Sequence, residues 1–560
     1  MKFIARLIVA LAGIVIVVLA TLYLLLKTQW GADQASRWIS DNTGYHLSFN
    51  RLEHSWSSPG HIIFTQFTFG YSGQPAMIIA KKLDIGLSSR QLTDPQYVDS
   101  ILLQNGTLKL ARDAAELPLK AEKLQLQNMN IESTDAEWPL QVTRANGGIA
   151  PWLPDTQLPL GNKANIEFSA DALTLKGITA NNVLLQGSVD NGSLNLSTIG
   201  ADVARGSVTG NARRNSDGSW NIGNLRLNDI RLQTAASLAD FLAPFTSANA
   251  LKIDRLDVTG ARLEGAEWAV SDLDLSLRGI TIDKGHWQSD EGQFALNASE
   301  FIYGSLHLQD PMINADLTPQ GVTLRQFSSR WEGGMLRANG QWQRDGGHAW
   351  LNELAVAGLE YTLPANWKAL WQEKLPDWLA DITLKKLSAS RNLIIDITPQ
   401  WPFQLTALDA SATNLVLARH HQWGIWDGSL TAHAANATFN GVDVRRPSIA
   451  LNANPNQIAI SELSAFSEKG LLEASATLSQ NAQRDISVSL KGQNVPVNIL
   501  HAWGWPSLPL QGEGNLTLSA TGQLRAEAAL KPTVNGSLKV IDANGQQTQQ
   551  TMTQGVVPGT

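Results

Sequence analysis

The chain has 560 residues, 43% hydrophobic and 17% charged, with a net charge of −7 at pH 7. That length exceeds what one compact core holds and predicts several domains or an elongated repeat, while the mild acidity argues against a nucleic-acid partner. There is no cysteine, which excludes disulfides, thiolate metal sites and cysteine nucleophiles and suits entry into an oxidising compartment.

Residues 1–6 place Lys2 and Arg6 ahead of an apolar run from Leu7 to Leu26 that Lys27 ends. A stretch of about 20 residues matches the roughly 30 Å hydrocarbon core of a bilayer. A cleaved leader has a shorter apolar region and a small-residue cleavage site, and Leu24-Leu25-Leu26-Lys27-Thr28-Gln29 offers none. The expectation is an uncleaved single-pass anchor over 7–26 in the cell inner membrane, with a cytoplasmic N-terminus and a periplasmic bulk. Within 27–44, Trp30 to Asn42 reads as a short amphipathic helix with Gly31, Ala35, Trp38 and Ile39 on one face. It lies either at the headgroup level, where indoles are favoured, or against the first strands.

From Tyr45 onward, apolar and polar residues alternate with period two, the mark of strands with one dry and one wet face. After an N-terminal β region over 45–136, a block of about 130 residues recurs as 137–266, 267–400 and 401–540. The blocks open with Glu137-Trp138-Pro139-Leu140, Glu267-Trp268-Ala269-Val270 and Gln400-Trp401-Pro402-Phe403. Later in each comes a turn signal: Ala204-Arg205-Gly206, Glu332-Gly333-Gly334 and Glu468-Lys469-Gly470. Turn clusters such as Asp190-Asn191-Gly192 predict an antiparallel meander. Short helices are predicted over 235–245, 366–379 and 497–503, and the Gln- and Thr-rich tail 541–560 reads as disordered. The fold class is mainly β: a transmembrane helix, then an elongated, curled antiparallel β-sheet groove of repeated modules with a few short helices.

No catalytic motif is present: no G-x-S-x-G, H-E-x-x-H or P-loop. His420 and His421 are strand neighbours that point to opposite faces, a poor chelate. Asp272 and Asp274 are the wet half of a strand. No catalytic residue, metal or cofactor is expected, and the chain does not read as an enzyme. The recurring Trp138, Trp268 and Trp401 read as packing anchors, since sugar-stacking sites rarely copy themselves at module positions.

The few helices cannot cover so large a dry face, whose removal from water is worth about 25 cal/mol per Å². Either the sheet closes on itself as a sandwich, or it curls into a groove that holds something apolar. On the groove reading the lipid-contacting candidates are Leu194, Leu196, Leu273, Leu275, Leu277, Leu516 and Leu518.

The anchor, the helix closing at Thr43-Gly44, the strand repeats and the run Leu510-Gln511-Gly512-Glu513-Gly514-Asn515-Leu516-Thr517-Leu518 followed by Gly522 resemble the AsmA family of bacterial envelope proteins over nearly the full chain. The resemblance implies an inner-membrane anchor and a periplasmic β groove related to bridge-like lipid transfer proteins. It also implies a role in phospholipid passage toward the outer membrane. The expected partners are therefore phospholipid acyl chains, the inner membrane and envelope proteins. The rival expectation is an assembly factor for outer-membrane proteins, working by strand addition at an exposed sheet edge.

Overall fold

A computed structural model describes residues 2–110, 119–133, 139–154, 160–175, 177–247, 250–524 and 529–558. The described chain is mainly strand and divides into two compact units. One comprises Met1–Ala235, Ala239–Glu264 and Thr281–His286; the other comprises Ala236–Leu238, Gly265–Ile280 and Trp287–Thr560.

In the first unit, helix α1 (Lys2–Leu26) leaves Ile14, Val17 and Leu24 exposed, while Tyr23 and Leu26 pack against the unit's core. Helix α2 (Gln29–Asn42) follows at once, its N–H at Gly31 capped by Thr28 Oγ1 at 3.2 Å. A side chain at Gly31 would lie 2.1 Å from the Leu25 carbonyl oxygen, so glycine is what lets the chain fold back this tightly. Among the described residues no single helix is long and apolar enough to cross a membrane. Ala12–Leu26 and Gln29–Asn42 meet that test only as a pair, bent by 103°.

Helix α2 turns Gly31, Ala32 and Ser36 inward, with Ala32 in one core with Phe49 and Leu52. Trp30 and Trp38 stay exposed, so Trp38 does not share the buried face as the amphipathic pattern had it. The same core continues through Phe67, Leu83, Leu103, Leu126, Met129 and Ile149, contributed by alternate positions of successive strands.

Two of the three turn signals are hairpins whose central residues have positive φ, the geometry that suits the strands' right-handed twist. Ala204 (φ 48°) and Arg205 (φ 68°) join the strands Ser193–Val203 and Gly206–Arg214. Glu332 (φ 44°) and Gly333 (φ 74°) join Gly321–Trp331 and Gly334–Gln343. At the third, the Ser467 N–H donates to the Gly470 carbonyl at 2.9 Å, between Gln457–Phe466 and Leu471–Ser479.

The expectation of a purely antiparallel sheet is corrected at recurring positions. Tyr97–Leu110 runs parallel to Lys120–Ser133, with Leu103 opposite Leu126. Trp220–Asn228 runs parallel to Ala250–Gly265, with Ile222 opposite Ile253. In the second unit His348–Ala357 runs parallel to Asp381–Asp396, with Leu351 opposite Leu384. A parallel neighbour is reached only by a crossover, and the crossovers are where two helices fall: α3 (Leu238–Thr246) before Ala250, and α4 (Trp367–Gln372) before Asp381. Helix α4 is shorter than predicted because Pro376 disfavours helix in the residue before it. The third predicted helix is one 3-10 turn, Ile499–His501, on an excursion between antiparallel strands.

The tail is corrected as well. Asn535–Asp542 and Gln547–Met552 pair antiparallel, and Met552 and Val557 are buried with Leu516, Leu538 and Val540. The polar tail needs few apolar residues because its strand is held by backbone hydrogen bonds and by Trp505 Nε1–H donating to Gln550 Oε1 at 2.9 Å.

Candidate functional site

A large apolar concavity lies within the second unit, on the strands Phe403–Arg419, Gln422–His433, Asn436–Phe439 and Val442–Asn454 and their neighbours. Its volume is about 540 Å³. Period-two alternation sends Leu405, Val444, Ile449, Leu463, Leu472 and Leu490 into it from successive strands, so its walls are carbon.

The concavity follows from a local break in the sheet. The ladder slips between Arg445 and Ser448, where Arg446 has φ 47° and Pro447 has no N–H to donate. Opposite it, the strand ending at His433 is interrupted before Asn436. Backbone bonds from Ala434 N to Pro447 O (3.0 Å) and from Arg446 N to Ala435 O (2.9 Å) lock the two irregularities together. Bulged strands bend, and here the bend hollows the dry face.

The excursion after Pro496 brings Trp503 into the wall, its Nε1–H donating to Phe439 O at 3.1 Å and Asn440 Nδ2 donating to Ala502 O at 2.5 Å. Around it Val497, Leu500, Trp505 and Leu510 are buried, so this segment is a packed plug. His433, Ser448 and Ser464 pair across successive strands next to the row of Ala432, Ile449 and Leu463 that faces the cavity, so alternation turns their side chains to the opposite face of the sheet and leaves the hollow almost without polar surface. His433 is largely exposed and places Nε2 3.3 Å from Asp409 Oδ2, while Asp409 Oδ1 accepts the Arg391 N–H at 2.7 Å.

Helix α4 buries no residue. It is pinned by its ends: Trp367 Nε1–H donates to Asp396 Oδ2 at 3.0 Å, and the Trp371 ring stacks on Trp423 at 5.7 Å. Burial pushes the Asp396 carboxyl up. The hydrogen bonds from the Thr398 hydroxyl and N–H and from Trp367, together with the Lys368 charge, outweigh it and hold the group below the usual carboxylate range.

None of the seven candidate leucines lines the cavity. Leu273 and Leu516 are buried; Leu194, Leu196, Leu275, Leu277 and Leu518 are half-buried. Leu275 lies opposite Leu296, which lies opposite Ile313, a continuous apolar row. Ser276 and Arg278 alternate with them and line a separate polar hollow with Gln293, Asp316 and Arg325. Leu518 sits opposite Leu490, itself a wall residue. Sequence reasoning missed the cavity residues because period-two alternation reads the same in every strand and does not mark where the sheet hollows. Pro447 inside an alternating run was the one local signal of a bulge.

The recurring tryptophans divide. Trp268 is 3% exposed and donates Nε1–H to Ala236 O at 3.0 Å, a packing anchor. Trp401 lies against Phe439 at 5.9 Å and lines the cavity. Trp138 lies outside the described residues. Among the described residues no group of three His, Asp or Glu side chains converges to hold a metal ion.

The AsmA family profile matches residues 382–556, which include the whole cavity. A relative from Escherichia coli (strain K12), the AsmA family protein YicH, is 56% identical over 557 residues, covering 100% of this chain and 98% of the relative. With a mainly strand fold and identity sustained from end to end, this chain belongs to the AsmA family.

Proposed function

We propose that the protein is a non-catalytic, inner-membrane-anchored periplasmic component that binds or transfers phospholipids through its apolar β surface and supports outer-membrane homeostasis. The observation that carries this reading is the carbon-walled 540 Å³ hollow on the dry face of a sheet. Soluble proteins rarely leave such a surface uncovered without a partner for it. Membership of a family of envelope proteins supports the same reading. On it, α1 inserts through its bare apolar side chains, Trp30 and Trp38 sit at the headgroup level, and the half-buried leucines such as Leu275 and Leu277 continue the lipid path beyond the cavity. Each buried methylene of a bound chain contributes about 0.8 kcal/mol.

Native mass spectrometry of the purified full chain tests this. Phospholipid is expected to stay bound through delipidating washes, and Leu275→Asp is expected to lower occupancy more than Asp274→Asn. A chain that never carries lipid overturns the reading. Crosslinks from sheet-edge strands to nascent outer-membrane proteins, indifferent to Leu275→Asp, would favour an assembly role instead.

A further inference from the structure

The apolar rows that wall the hollow do not stop at its edge. One row runs Ile449, Leu463, Ala474, Leu490, Leu518, Leu538, each opposite the next on successive strands. A second runs Ala465, Leu472, Gly492, Leu516, Val540. Side chains paired in this way share one face of a sheet, so the wall of the hollow and the last strands form one dry surface.

Access to that surface is lost along its length. Leu463 is 43% exposed, whereas Leu516, Leu538 and Val540 are 2%, 1% and 0% exposed. The steps from Leu463 to Leu538 cover about 19 Å at roughly 4.8 Å per strand. What closes the surface is the excursion after Pro496, whose Ile499, Leu500, Trp505, Leu508 and Leu510 are buried in one core with those residues. The excursion is also tied to itself, because Asn498 Nδ2 donates to Leu510 O at 2.8 Å and Asn498 Oδ1 accepts the Leu508 N–H at 2.6 Å. Both rows then end on polar residues of the last strand, Gln550 opposite Leu538 and Thr548 opposite Val540. Gln550 Oε1 is the acceptor of the Trp505 Nε1–H.

We infer that the apolar path is a dead end. A lipid chain in the hollow travels no further than Trp503, and it enters and leaves by the open side that precedes the plug. This rests on the lipid-binding reading and specifies its route: lipid is handed over sideways, from the strands before the plug, and does not pass along the last strand.

The test loads the purified full chain with phosphatidylglycerol whose acyl chains carry a diazirine, irradiates it and maps the adducts by tandem mass spectrometry. Adducts are expected on Leu405, Leu463 and Leu490 and to be at least tenfold rarer on Leu516, Leu538 and Val540. In Trp505→Ala they are expected to spread to Leu538. A second arm uses the absence of native cysteine. Asn440→Cys and Ala502→Cys, placed where Asn440 Nδ2 meets Ala502 O, are joined by a short bis-maleimide that holds the plug to the wall. Exchange of bound lipid with phosphatidylglycerol vesicles is expected to stay within twofold of the unjoined protein. This arm keeps the test decisive if Trp505→Ala folds poorly. Equal labelling of Leu463 and Leu538 in wild type overturns the dead end while leaving lipid binding intact, and so does a slowing beyond twofold on joining. Adducts that stay confined in a folded Trp505→Ala variant overturn the plug as the barrier. No adduct anywhere on the dry face overturns the lipid reading as well.

Discussion

At the scale of single residues, Asp396 shows how a polar group serves an apolar fold. It is 2% exposed and accepts hydrogen bonds from Trp367 and Thr398, so removing its charge leaves buried donors with weaker partners. Asp396→Asn is expected to cost about 1.5–3 kcal/mol at neutral pH, measured as a lower urea midpoint. Because the folded carboxyl is held below its ordinary value of about 3.9, the unfolded chain binds more protons near that pH. The contribution is therefore complete above about pH 4 and is lost as the pH falls through the folded value. The midpoints of wild type and variant are expected to converge on acidification. A gap that stays constant from pH 7 to pH 3 would show that the shift does not contribute to stability. Nothing in the sequence around Asp396 marked this role, since its partner Trp367 lies a whole strand away; the recurring Trp268, by contrast, was legible as an anchor and packs as one.

At the scale of elements, strands and turns were legible because period-two alternation and turn chemistry are local. Strand direction was not, because alternation looks the same in a parallel and an antiparallel neighbour. The helices were the missed clue: α3 and α4 sit where a crossover is required. The tail was misjudged for a related reason, as Gln547–Met552 needs only Met552 and the later Val557 to reach the core. Met552→Asp is expected to unzip this last strand and destabilise the second unit by about 2–5 kcal/mol, in the range of large core losses. Hydrogen exchange at residues 547–552 reads this directly. Unchanged protection there would show that Met552 does not hold the strand.

At the scale of the whole molecule, an uncovered apolar cavity means that stability depends on what fills it. A ligand that binds only the folded chain stabilises it by about 2.7 kcal/mol at a hundredfold excess over Kd. Adding saturating phospholipid to delipidated protein is expected to raise Tm by a few degrees, and Ala432→Trp is expected to abolish the rise; an equal rise in that variant would place the lipid elsewhere. The parallel junctions have a separate consequence, in the order of assembly. Val203 and Gly206 meet across a turn, whereas Trp220 must find Leu251, and His348 must find Asp381, each about thirty residues downstream. Pairing across such distances is slow because loop closure precedes any gain from contact. The hairpin stretches between junctions therefore form early and independently, and the parallel pairs close last, as kinetic seams. Mutations that delay folding most should cluster at those seams and in α3 and α4, while mutations in the hairpin turns act before the seams are joined.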